Sequence, residues 1–450
     1  MTVCTKSLRL AKPYTRPVDV AFDAPHTSSD GGVLLLRALD ERLGVSASLA
    51  AFVPDERDRG RVVHSRREQV MQRVMQIAQG YEDCNDANYL RHDPALKLAC
   101  LGDAADGALS SQPSLSRFEN AATGRTIAGC LRWFEQSWVD SLPLDTDVVI
   151  LDVDSTDDPT HGHQQLAMFH GFYDQHMYHP LLVFDGLTGQ LITALLRGGC
   201  AHAAKGTAGR LRRLIGMVKA RLPQVRIVVR GDSAFAMPRL MDMLDELQLR
   251  YAGVDFVFGK ARNPRLEAIL APEMELARSE HAADGKHVRR FSEFQYAAKS
   301  WQYERRVIGK AEYGNKGANP RFLVTSLTDE SPEELYDWYC QRGQVENDIK
   351  NFKRGLKADR LSCMTYVANF FRLVLHMAAY RLMFALRTLA RPHSEELGRA
   401  EFGTLRLRLL KVAALVSRSV RRVLVRLPAS FGLAPVFEAL LRELGPPEPA

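Results

Sequence analysis

The chain has 450 residues with 46% hydrophobic and 25% charged side chains, which is ordinary for a globular protein of two or three domains. Its formal net charge of +7 and pI near 9.0 favour a polyanionic partner. Seven scattered cysteines without a C-x-x-C pair argue against a disulfide framework or a zinc module, and favour a reducing cytoplasm.

The first part of the chain has short amphipathic patterns, such as GGVLLLRALDERLG at 31–44, separated by loops rich in Asp, Arg and Ser. This alternation predicts a helical N-terminal region over residues 1–140. The opening residues, MTVCTKSLRLAKPY, lack the apolar stretch of a secretory signal. We therefore expect a cytoplasmic protein.

Strand-like patterns begin at DVVILDVDST (147–156), a β-branched run that ends in carboxylates. Two strands joined by a turn at DGLTG follow within residues 179–199. Next, a helix at 205–221 precedes the apolar run VRIVVRGDSAF, and a helix at 237–248 precedes a strand at 250–257. The resulting β-β-β-α-β-α-β order predicts an α/β fold.

Residues 259–328 contain strand-like patches separated by Gly, Asn and Asp, which predict a β-rich insertion. A helix follows, with Ser331 as its N-cap and Pro332 as its first helical residue. Beyond it the pattern is helical again, and the segment 406–426 carries seven Arg or Lys and no acid. We therefore predict a basic helical C-terminal region over residues 361–450.

The most membrane-like part of the chain is YVANFFRLVLHMAAYRLMFAL at 366–386. Arg372, His376 and Arg381 interrupt this segment, whereas a membrane-spanning helix needs about 20 mostly apolar residues. We therefore expect a buried helix and no membrane association.

Carboxylates end two of the predicted buried strands. Asp152 and Asp154 are two residues apart, so they face the same side of one strand. Asp232 ends another apolar run, IVVRGD. Because open α/β sheets bind ligands at the carboxyl ends of their strands, Asp154 and Asp232 meet in one crevice if the two strands are neighbours. Each aspartate alone could instead be a turn or capping residue.

The helix that contains YCQRGQVENDIKNFK (339–353) has a polar stripe where a core-facing helix would be apolar. At spacings of 3, 4, 4 and 3, the stripe consists of Tyr339, Arg342, Glu346, Lys350 and Lys353. Glu346 would add a third carboxylate to the crevice, while Arg342, Lys350 and Lys353 would hold phosphates. A solvated charged face is the alternative interpretation.

Three carboxylates with open coordination positions suit Mg²⁺ or Mn²⁺, since magnesium takes few carboxylates and keeps water or substrate phosphate as its other ligands. The sequence thus predicts two divalent ions held by Asp154, Asp232 and Glu346, an arrangement suited to phosphodiester displacement. Asp152 is a candidate further ligand or a residue behind the ligands, and an exchange of roles with Asp154 stays open.

A family resemblance rests on the spacing Y-x2-R-x3-E-x6-K, which Tyr339, Arg342, Glu346 and Lys353 meet in full. This spacing resembles the YREK signature of DDE transposases from bacterial insertion sequences. The segments DVDSTDDPTHGHQQ, VRGDSAFA and LKADRLSC…ANFFRLVLHMAAYRL resemble group 1 members, the insertion-sequence 1380 family. The resemblance covers most of the chain and is strongest from 150 to 385.

The fold that this resemblance implies is an RNase H-like catalytic core, at 141–258 and 329–360, interrupted by the β-rich insertion. Helical N-terminal and C-terminal regions flank this core. The separations between the three acids leave room for such an insertion before the helix that carries the glutamate.

Residue roles also follow from the resemblance. It makes Asp154, Asp232 and Glu346 the catalytic triad. The choice of Asp154 over Asp152 rests on the ST after Asp154, which resembles the family's D-x-T. It assigns phosphate binding near the cleaved DNA end to Tyr339 and Arg342. Lys353 would position the terminal nucleotide.

The function implied is that of a DNA transposase, which binds inverted-repeat ends, cleaves beside them with water as nucleophile and joins the 3′-OH ends to target DNA. A nucleoid-associated homodimer that synapses two ends is expected. Affinity for double-stranded DNA is expected to come largely from phosphate contacts, some of them from the basic segment 406–426, whose alternative is a packed helix with solvated arginines. The helical N-terminal region is expected to read the base sequence. Trp301 is a candidate to stack on a flipped base, with an ordinary core position as the alternative.

Two other functions stay open. A structure-selective nuclease would use the same carboxylates, and only the transfer of a 3′-OH end to target DNA distinguishes it from a transposase. A catalytically silent DNA-binding protein could retain the fold, and it would not break strands in Mg²⁺.

Overall fold

The computed structural model describes residues 8–10, 15–103 and 107–445. Its helices are α1 (Val33–Leu43), α2 (Val45–Ala51), α3 (Arg66–Gln79), α4 (Ala87–Leu90), α5 (Pro94–Leu101), α6 (Gln112–Asn120), α7 (Gly124–Ser141), α8 (Thr207–Arg221), α9 (Pro238–Arg250), α10 (Pro264–Asp284), α11 (Pro332–Cys340), α12 (Gly343–Lys350), α13 (Tyr366–Ala390), α14 (Glu395–Arg399), α15 (Phe402–Leu405) and α16 (Ala434–Leu444). Its strands are β1 (Leu8–Leu10), β2 (Val18–Val20), β3 (Thr27–Ser28), β4 (Val148–Ser155), β5 (Asp158–Pro159), β6 (Met168–His170), β7 (Gln175–Tyr178), β8 (Leu181–Asp185), β9 (Leu191–Leu195), β10 (Arg226–Gly231), β11 (Val254–Lys260), β12 (Val288–Tyr296), β13 (Arg305–Gly314), β14 (Gly317–Ala318), β15 (Arg321–Thr325), β16 (Ala414–Arg418) and β17 (Val423–Arg426).

The chain divides into two compact units. Unit 1 consists of Met1–Ala51, Asp55–Phe118 and Leu382–Ala450. Unit 2 consists of Phe52–Pro54 and Glu119–Arg381, and it carries all of the predicted site residues.

Unit 1 is mainly helical in its described part. Helix α3 begins at a capping box, in which Ser65 accepts a hydrogen bond from the backbone N–H of Glu68 and the Glu68 carboxylate accepts one from the N–H of Ser65. The apolar residues of α3 are buried, and so are Val33, Leu35, Leu36 and Leu39 of α1, which form the core-facing side that the helical pattern at 31–44 predicts. This packing accounts for most of the stability of such helices.

The basic segment 406–426 does not form the predicted helix. It begins with a π-helical turn, Arg406–Leu410, and continues as the antiparallel pair β16 and β17, with β3 on the other edge of β16. Burial in β16 follows the strand period of two, since Ala414 and Val416 are buried whereas Leu415 is exposed, although the apolar residues themselves do not alternate with polar ones. The prediction failed because apolar Leu and Val also fit a helical period.

Unit 2 is built on a large mixed sheet with the strand order β12-β13-β15-β11-β10-β4-β8-β9. Strands β4, β10 and β11 are parallel, whereas β8 runs antiparallel to β4 and β9 runs antiparallel to β8. The predicted strand pair around DGLTG is confirmed as β8 and β9. The two predicted helices are confirmed as α8 and α9, and the strands predicted after each of them are confirmed as β10 and β11. The small sheet β5-β7-β6, between β4 and β8 in the chain, was not predicted.

Helices cover both faces of this sheet. Apolar side chains of α8 and α9 pack against Val149, Leu151 and Val153 of β4 and their neighbours. On the opposite face, Leu335 and Tyr336 of α11 pack against apolar residues of β10, β11, β13 and β15. Because successive strand residues alternate between faces, the even-numbered aspartates of β4 lie on the α11 side.

The β-rich insertion predicted at 259–328 has a different layout. Helix α10 occupies 264–284, and the strands that follow it extend the main sheet through antiparallel pairing of β15 with β11. Asn263 caps this helix and Gly285 ends it in the left-handed conformation, but Pro272 inside it masks the helical pattern.

Helix α13 corresponds to the membrane-like segment of the sequence. It is the one helix in the described residues that is long and apolar enough to cross a membrane, and 72% of its most apolar stretch is buried within the protein.

Candidate active site

Two parallel strands bring the first two carboxylates together. The register of β4 and β10 pairs Val153 with Gly231, so the residues that follow, Asp154 and Asp232, lie side by side at the carboxyl edge of the sheet. Asp232 also caps the short 3₁₀ turn Ser233–Phe235, since its Oδ1 accepts a hydrogen bond of 2.9 Å from the N–H of Ala234. The capping role that sequence alone allowed is therefore real, and it coexists with a place beside Asp154.

Asp154 is 8% exposed and accepts two hydrogen bonds. Its Oδ1 accepts one of 2.8 Å from the N–H of Ser155, and its Oδ2 accepts one of 2.6 Å from Nη2 of Arg342. Burial raises the pKa of Asp154 to about 6, against the effect of Arg342 and with further contributions from the negative charges of Asp232 and Glu346. The three acids thus share one electrostatic environment.

Glu346 is an exposed residue in the first turn of α12. Across residues 8–10, 15–103 and 107–445, no three His, Cys, Asp or Glu side chains are grouped closely enough to hold a metal ion. The structure therefore brings Asp154 and Asp232 together and places Glu346 close enough to affect the pKa of Asp154, but outside a closed three-ligand cluster.

The predicted striped helix is divided into two parts. Helix α11 begins at Ser331 and Pro332 as predicted, with a capping box to Glu334, and it ends at Cys340. Residues 341–342 form a turn, α12 follows, and a π-helical turn continues to Gly355. The break precedes Gly343, a residue of low helix propensity. It leaves Arg342 at the junction, where its guanidinium contacts Asp154.

Tyr339 reaches across the ends of two strands. Its hydroxyl donates a hydrogen bond of 3.3 Å to the carbonyl of Gly231, and burial raises the pKa of the phenol, which stays a donor at neutral pH. A Cβ atom at Gly259, the second-last residue of β11, would lie 2.9 Å from this hydroxyl. Glycine at 259 therefore permits Tyr339 to lie close to Asp232.

The two lysines of the stripe have different surroundings. Lys353 donates a hydrogen bond of 2.6 Å from Nζ to Oδ1 of Asp157. Burial is the largest single influence on Asp157 and opposes its charge, but the hydrogen bond from Lys353, the charge of Lys353 and further hydrogen bonds together lower the pKa of Asp157. Lys350 is half-buried in the last turn of α12.

Asp152 forms a buried ion pair with Arg230, its direct neighbour in the β4–β10 register. Nε and Nη2 of Arg230 each donate a hydrogen bond of 2.7 Å to one oxygen of Asp152, and the two side chains are 2% and 1% exposed. Arg230 also donates to the carbonyl of Trp338 at 3.1 Å and lies 4.8 Å from the centre of the Trp338 ring. Both oxygens of Asp152 thus already have a cationic partner.

A cavity of about 480 Å³ adjoins Asp232. Lys260, Arg262 and Arg321 line it, together with the aromatic rings of Tyr336 and Tyr339. Burial lowers the pKa of Lys260. Cations and aromatic rings beside a carboxylate suit a nucleic-acid strand, which presents phosphates and stacked bases.

Two residues of this region were missed by sequence reasoning. Arg230 is a charged residue within a buried strand, two positions before Asp232, and this pattern could have identified it as a partner of Asp152. Asp158 is 1% exposed with neither carboxylate oxygen hydrogen-bonded to any described residue, and burial raises its pKa well above the usual range. Nothing in the sequence separates Asp158 from the other acids of VDSTDDPT.

Trp301 is a core residue in the structure. It is 8% exposed, packs edge-on against Tyr296 and has Lys260 5.4 Å above its ring. The alternative given for it from the sequence, an ordinary core position, is therefore the one observed.

Comparison with known proteins identifies the family. A family model described as transposase DDE domain group 1 matches residues 11–448. The chain belongs to this transposase family. No curated protein matches the chain. Among solved structures, a piggyBac transposase synaptic complex with hairpin DNA is similar, with 11% identity, a TM-score of 0.41, and coverage of 84% of this chain and 79% of that one.

Proposed function

We propose that this group 1 DDE transposase binds the inverted-repeat ends of its own insertion sequence, hydrolyses a phosphodiester bond beside each end and joins the freed 3′-OH to target DNA. The observation that carries the proposal is the side-by-side placement of Asp154 and Asp232 at the carboxyl edge of the sheet, with Glu346 in the same electrostatic environment. Ligand sites of open α/β sheets lie at this edge.

We infer that the core of unit 2 is an RNase H-like domain. Its order β9-β8-β4-β10-β11, with three antiparallel strands followed by two parallel ones and helices α8 and α9 between them, supports that assignment. The YREK spacing supports membership of the insertion-sequence 1380 group within the family.

The donor set fits divalent cations such as Mg²⁺ or Mn²⁺. Asp154, Asp232 and Glu346 offer hard oxygen donors, and the repulsion that helps raise the pKa of Asp154 to about 6 is what bound cations would relieve. Two such ions, when bound, would supply Lewis-acid stabilisation to the attacking and leaving oxygens. Closure of the set requires Glu346 to move toward the aspartates, which the turn before Gly343 allows.

Asp154 is the first ligand in this scheme, and Asp152 has a positioning role. The Asp152 carboxylate is held by Arg230 through two hydrogen bonds, so it has no oxygen free of a cationic partner. By contrast, Oδ2 of Asp154 accepts a hydrogen bond from Arg342, and it would become available to a metal ion if Arg342 bound another group instead.

DNA phosphates would compete for the cations of the stripe. Arg342 and Lys353 are each bound to an aspartate at 2.6 Å, and both hydrogen bonds involve side chains that remain partly exposed. A phosphate is an equally good acceptor for these donors. We infer that DNA takes over Arg342 and Lys353, with Tyr339 and Lys350 as further phosphate contacts. The N-terminal region, the C-terminal basic segment and a homodimeric, nucleoid-associated assembly belong to the same proposal.

The experiment is a cleavage and strand-transfer assay with the full chain, Mg²⁺, a duplex that carries the ends of its own element, and a target plasmid. We expect nicked ends and joined products from the unmodified protein. Glu346→Gln should bind the ends and make neither product, whereas Glu304→Gln, an exposed change in the same unit, should retain both activities. Cleavage without joined products would indicate a nuclease. Binding without any cleavage would indicate a silent DNA-binding protein.

A further inference from the structure

Unit 1 contains a second cavity, of about 500 Å³, that the catalytic scheme does not use. Four arginines line it: Arg57, Arg61, Arg66 and Arg117. Their side chains come from the loop before α3, from the first residue of α3 and from α6. The cavity has the size range of small-ligand sites, but such a concentration of guanidinium groups favours an anionic ligand.

The acids near this cavity do not cancel its charge. Asp55 accepts hydrogen bonds of 2.6 and 2.7 Å from Arg57 and lies 3.6 Å from Arg66. Asp58, which also lines the cavity, lies 3.5 Å from Arg61, so two aspartates face four arginines. Glu68 is engaged at the capping box of α3. Arg61 is 89% exposed, so its ion pair with Asp58 is a weak surface pair that a ligand can replace.

Two helices begin at the wall of the cavity. Arg66 is the first residue of α3, and Ser114 and Arg117 lie in the first two turns of α6. The N-terminus of a helix carries a partial positive charge and backbone N–H groups, which favour a bound anion. The helix termini therefore add to the field of the arginines.

A buried hydroxyl in the same wall lacks a partner. Ser110 lines the cavity at 2% exposure, and its backbone is fixed by Gln72, whose amide nitrogen donates to the Ser110 carbonyl and whose oxygen accepts from the Ser110 N–H, each at 3.0 Å. The Ser110 Oγ makes no hydrogen bond to any residue in the described parts of the chain. Buried hydroxyls usually have a partner, so this one is consistent with a missing ligand.

We propose that this cavity binds a backbone phosphate of DNA. The inference rests on the proposed function, since it takes the DNA handled by the transposase as the ligand. Guanidinium groups bind phosphate through paired hydrogen bonds, and the exposed Val63 at the cavity offers an apolar contact for the adjoining deoxyribose. Such a contact orients the protein on the duplex without reading its sequence.

The test measures DNA binding in EDTA, where strand breakage cannot interfere. The probes are a fluorescein-labelled duplex with the element end and a scrambled duplex of equal length, followed by anisotropy over a range of salt concentrations. The variant is Arg61→Gln combined with Arg117→Gln, two exposed residues. Its control is Arg42→Gln combined with Arg442→Gln, which removes the same charge from exposed sites in unit 1 outside the cavity.

We expect the cavity variant to lose about tenfold in affinity for both duplexes and its salt slope to fall by about one, as for one phosphate contact. The control variant should bind as the unmodified protein does. Arg61→Lys combined with Arg117→Lys should retain the salt slope but lose part of the affinity, because lysine lacks the planar fork. Thermal unfolding of each variant verifies that it is folded.

The outcomes separate this inference from the proposed function. If the cavity variant and the control bind both duplexes equally well, the phosphate site is wrong, even where the unmodified protein cleaves and joins DNA. If the cavity variant alone loses affinity but the unmodified protein never breaks a strand, the phosphate site stands and the transposase mechanism fails.

Discussion

The Arg230–Asp152 pair is predicted to position the end of α11, and replacing Arg230 with Met tests this. The change leaves a carboxylate at 1% exposure without its cation, and it removes the hydrogen bond to the Trp338 carbonyl that ties β10 to the end of α11. Breaking a buried pair from one side typically costs about 3–5 kcal/mol of unfolding free energy. We expect a loss in that range for unit 2.

Three comparisons give this prediction its specificity. Arg226→Met removes a 39% exposed arginine from the other end of the same strand, where it lies 3.4 Å from Asp255 and 3.3 Å from Glu330. Asp255 keeps the hydrogen bonds that it accepts from Gln248 and Ser326. That change should cost less than about 1 kcal/mol. Arg230→Lys keeps a charge but loses the fork, so it should fall between these values. Asp152→Val with Arg230→Met should recover most of the stability, because an apolar pair leaves no unpaired charge.

The assays are urea unfolding, amide hydrogen exchange at β4 and β10, and single-turnover cleavage at saturating end DNA. Arg230→Met should slow cleavage by about tenfold or more through displacement of Tyr339 and Arg342, with a smaller effect on affinity for the DNA ends. An Arg230→Met protein that matches Arg226→Met in stability and cleavage rate would refute the positioning role.

The elements of the core sheet were predictable because their patterns are local. The buried run at 147–156 and the run ending in IVVRGD are short, apolar and β-branched, and they form β4 and β10. Their parallel pairing was the one non-local step required to bring Asp154 and Asp232 together, and the sequence left it as a condition that the register of β4 and β10 meets.

The failures have identifiable causes. Helix α10 was missed because Pro272 interrupts its pattern, although its Asn263 cap and terminal Gly285 were readable signals. The strands β16 and β17 were assigned to a helix because their apolar residues do not alternate with polar ones, so neither period is decisive over so short a run. In such segments, pairing with neighbouring strands decides the secondary structure more than the intrinsic preferences of the residues do.

The periodicity of an ideal helix did not predict the contacts that the stripe residues make in the site. An ideal helix aligns Tyr339, Arg342, Glu346 and Lys353, but the chain turns at 341–342. In the structure Arg342 binds Asp154 and Lys353 binds Asp157, while Glu346 is exposed. The sequence identifies the charged groups, and the folded structure is needed to show which of them meet.

Three further predictions concern the site. Gly259→Ala should reduce cleavage by about tenfold or more, because its Cβ would lie 2.9 Å from both the Tyr339 hydroxyl and the backbone nitrogen of Ser233, whereas Gly209→Ala, with open space around it, should cleave normally. Lys353→Met should lower the salt slope for end DNA by about one and Lys353→Arg should preserve it; equal slopes would exclude a phosphate contact. The third prediction concerns pH, without metal. Since the pKa of Asp154 is about 6 in the folded protein and 3.8 ordinarily, the folded state binds this proton more tightly. Its stabilising contribution, up to about 3 kcal/mol, is complete below about pH 4 and is lost as the pH rises through 6. As the pH rises over that range, the unmodified protein should therefore lose unfolding free energy relative to Asp154→Asn. Saturating Mg²⁺ should offset this loss. A difference that is flat in pH would show that burial and the neighbouring charges do not raise the pKa of Asp154.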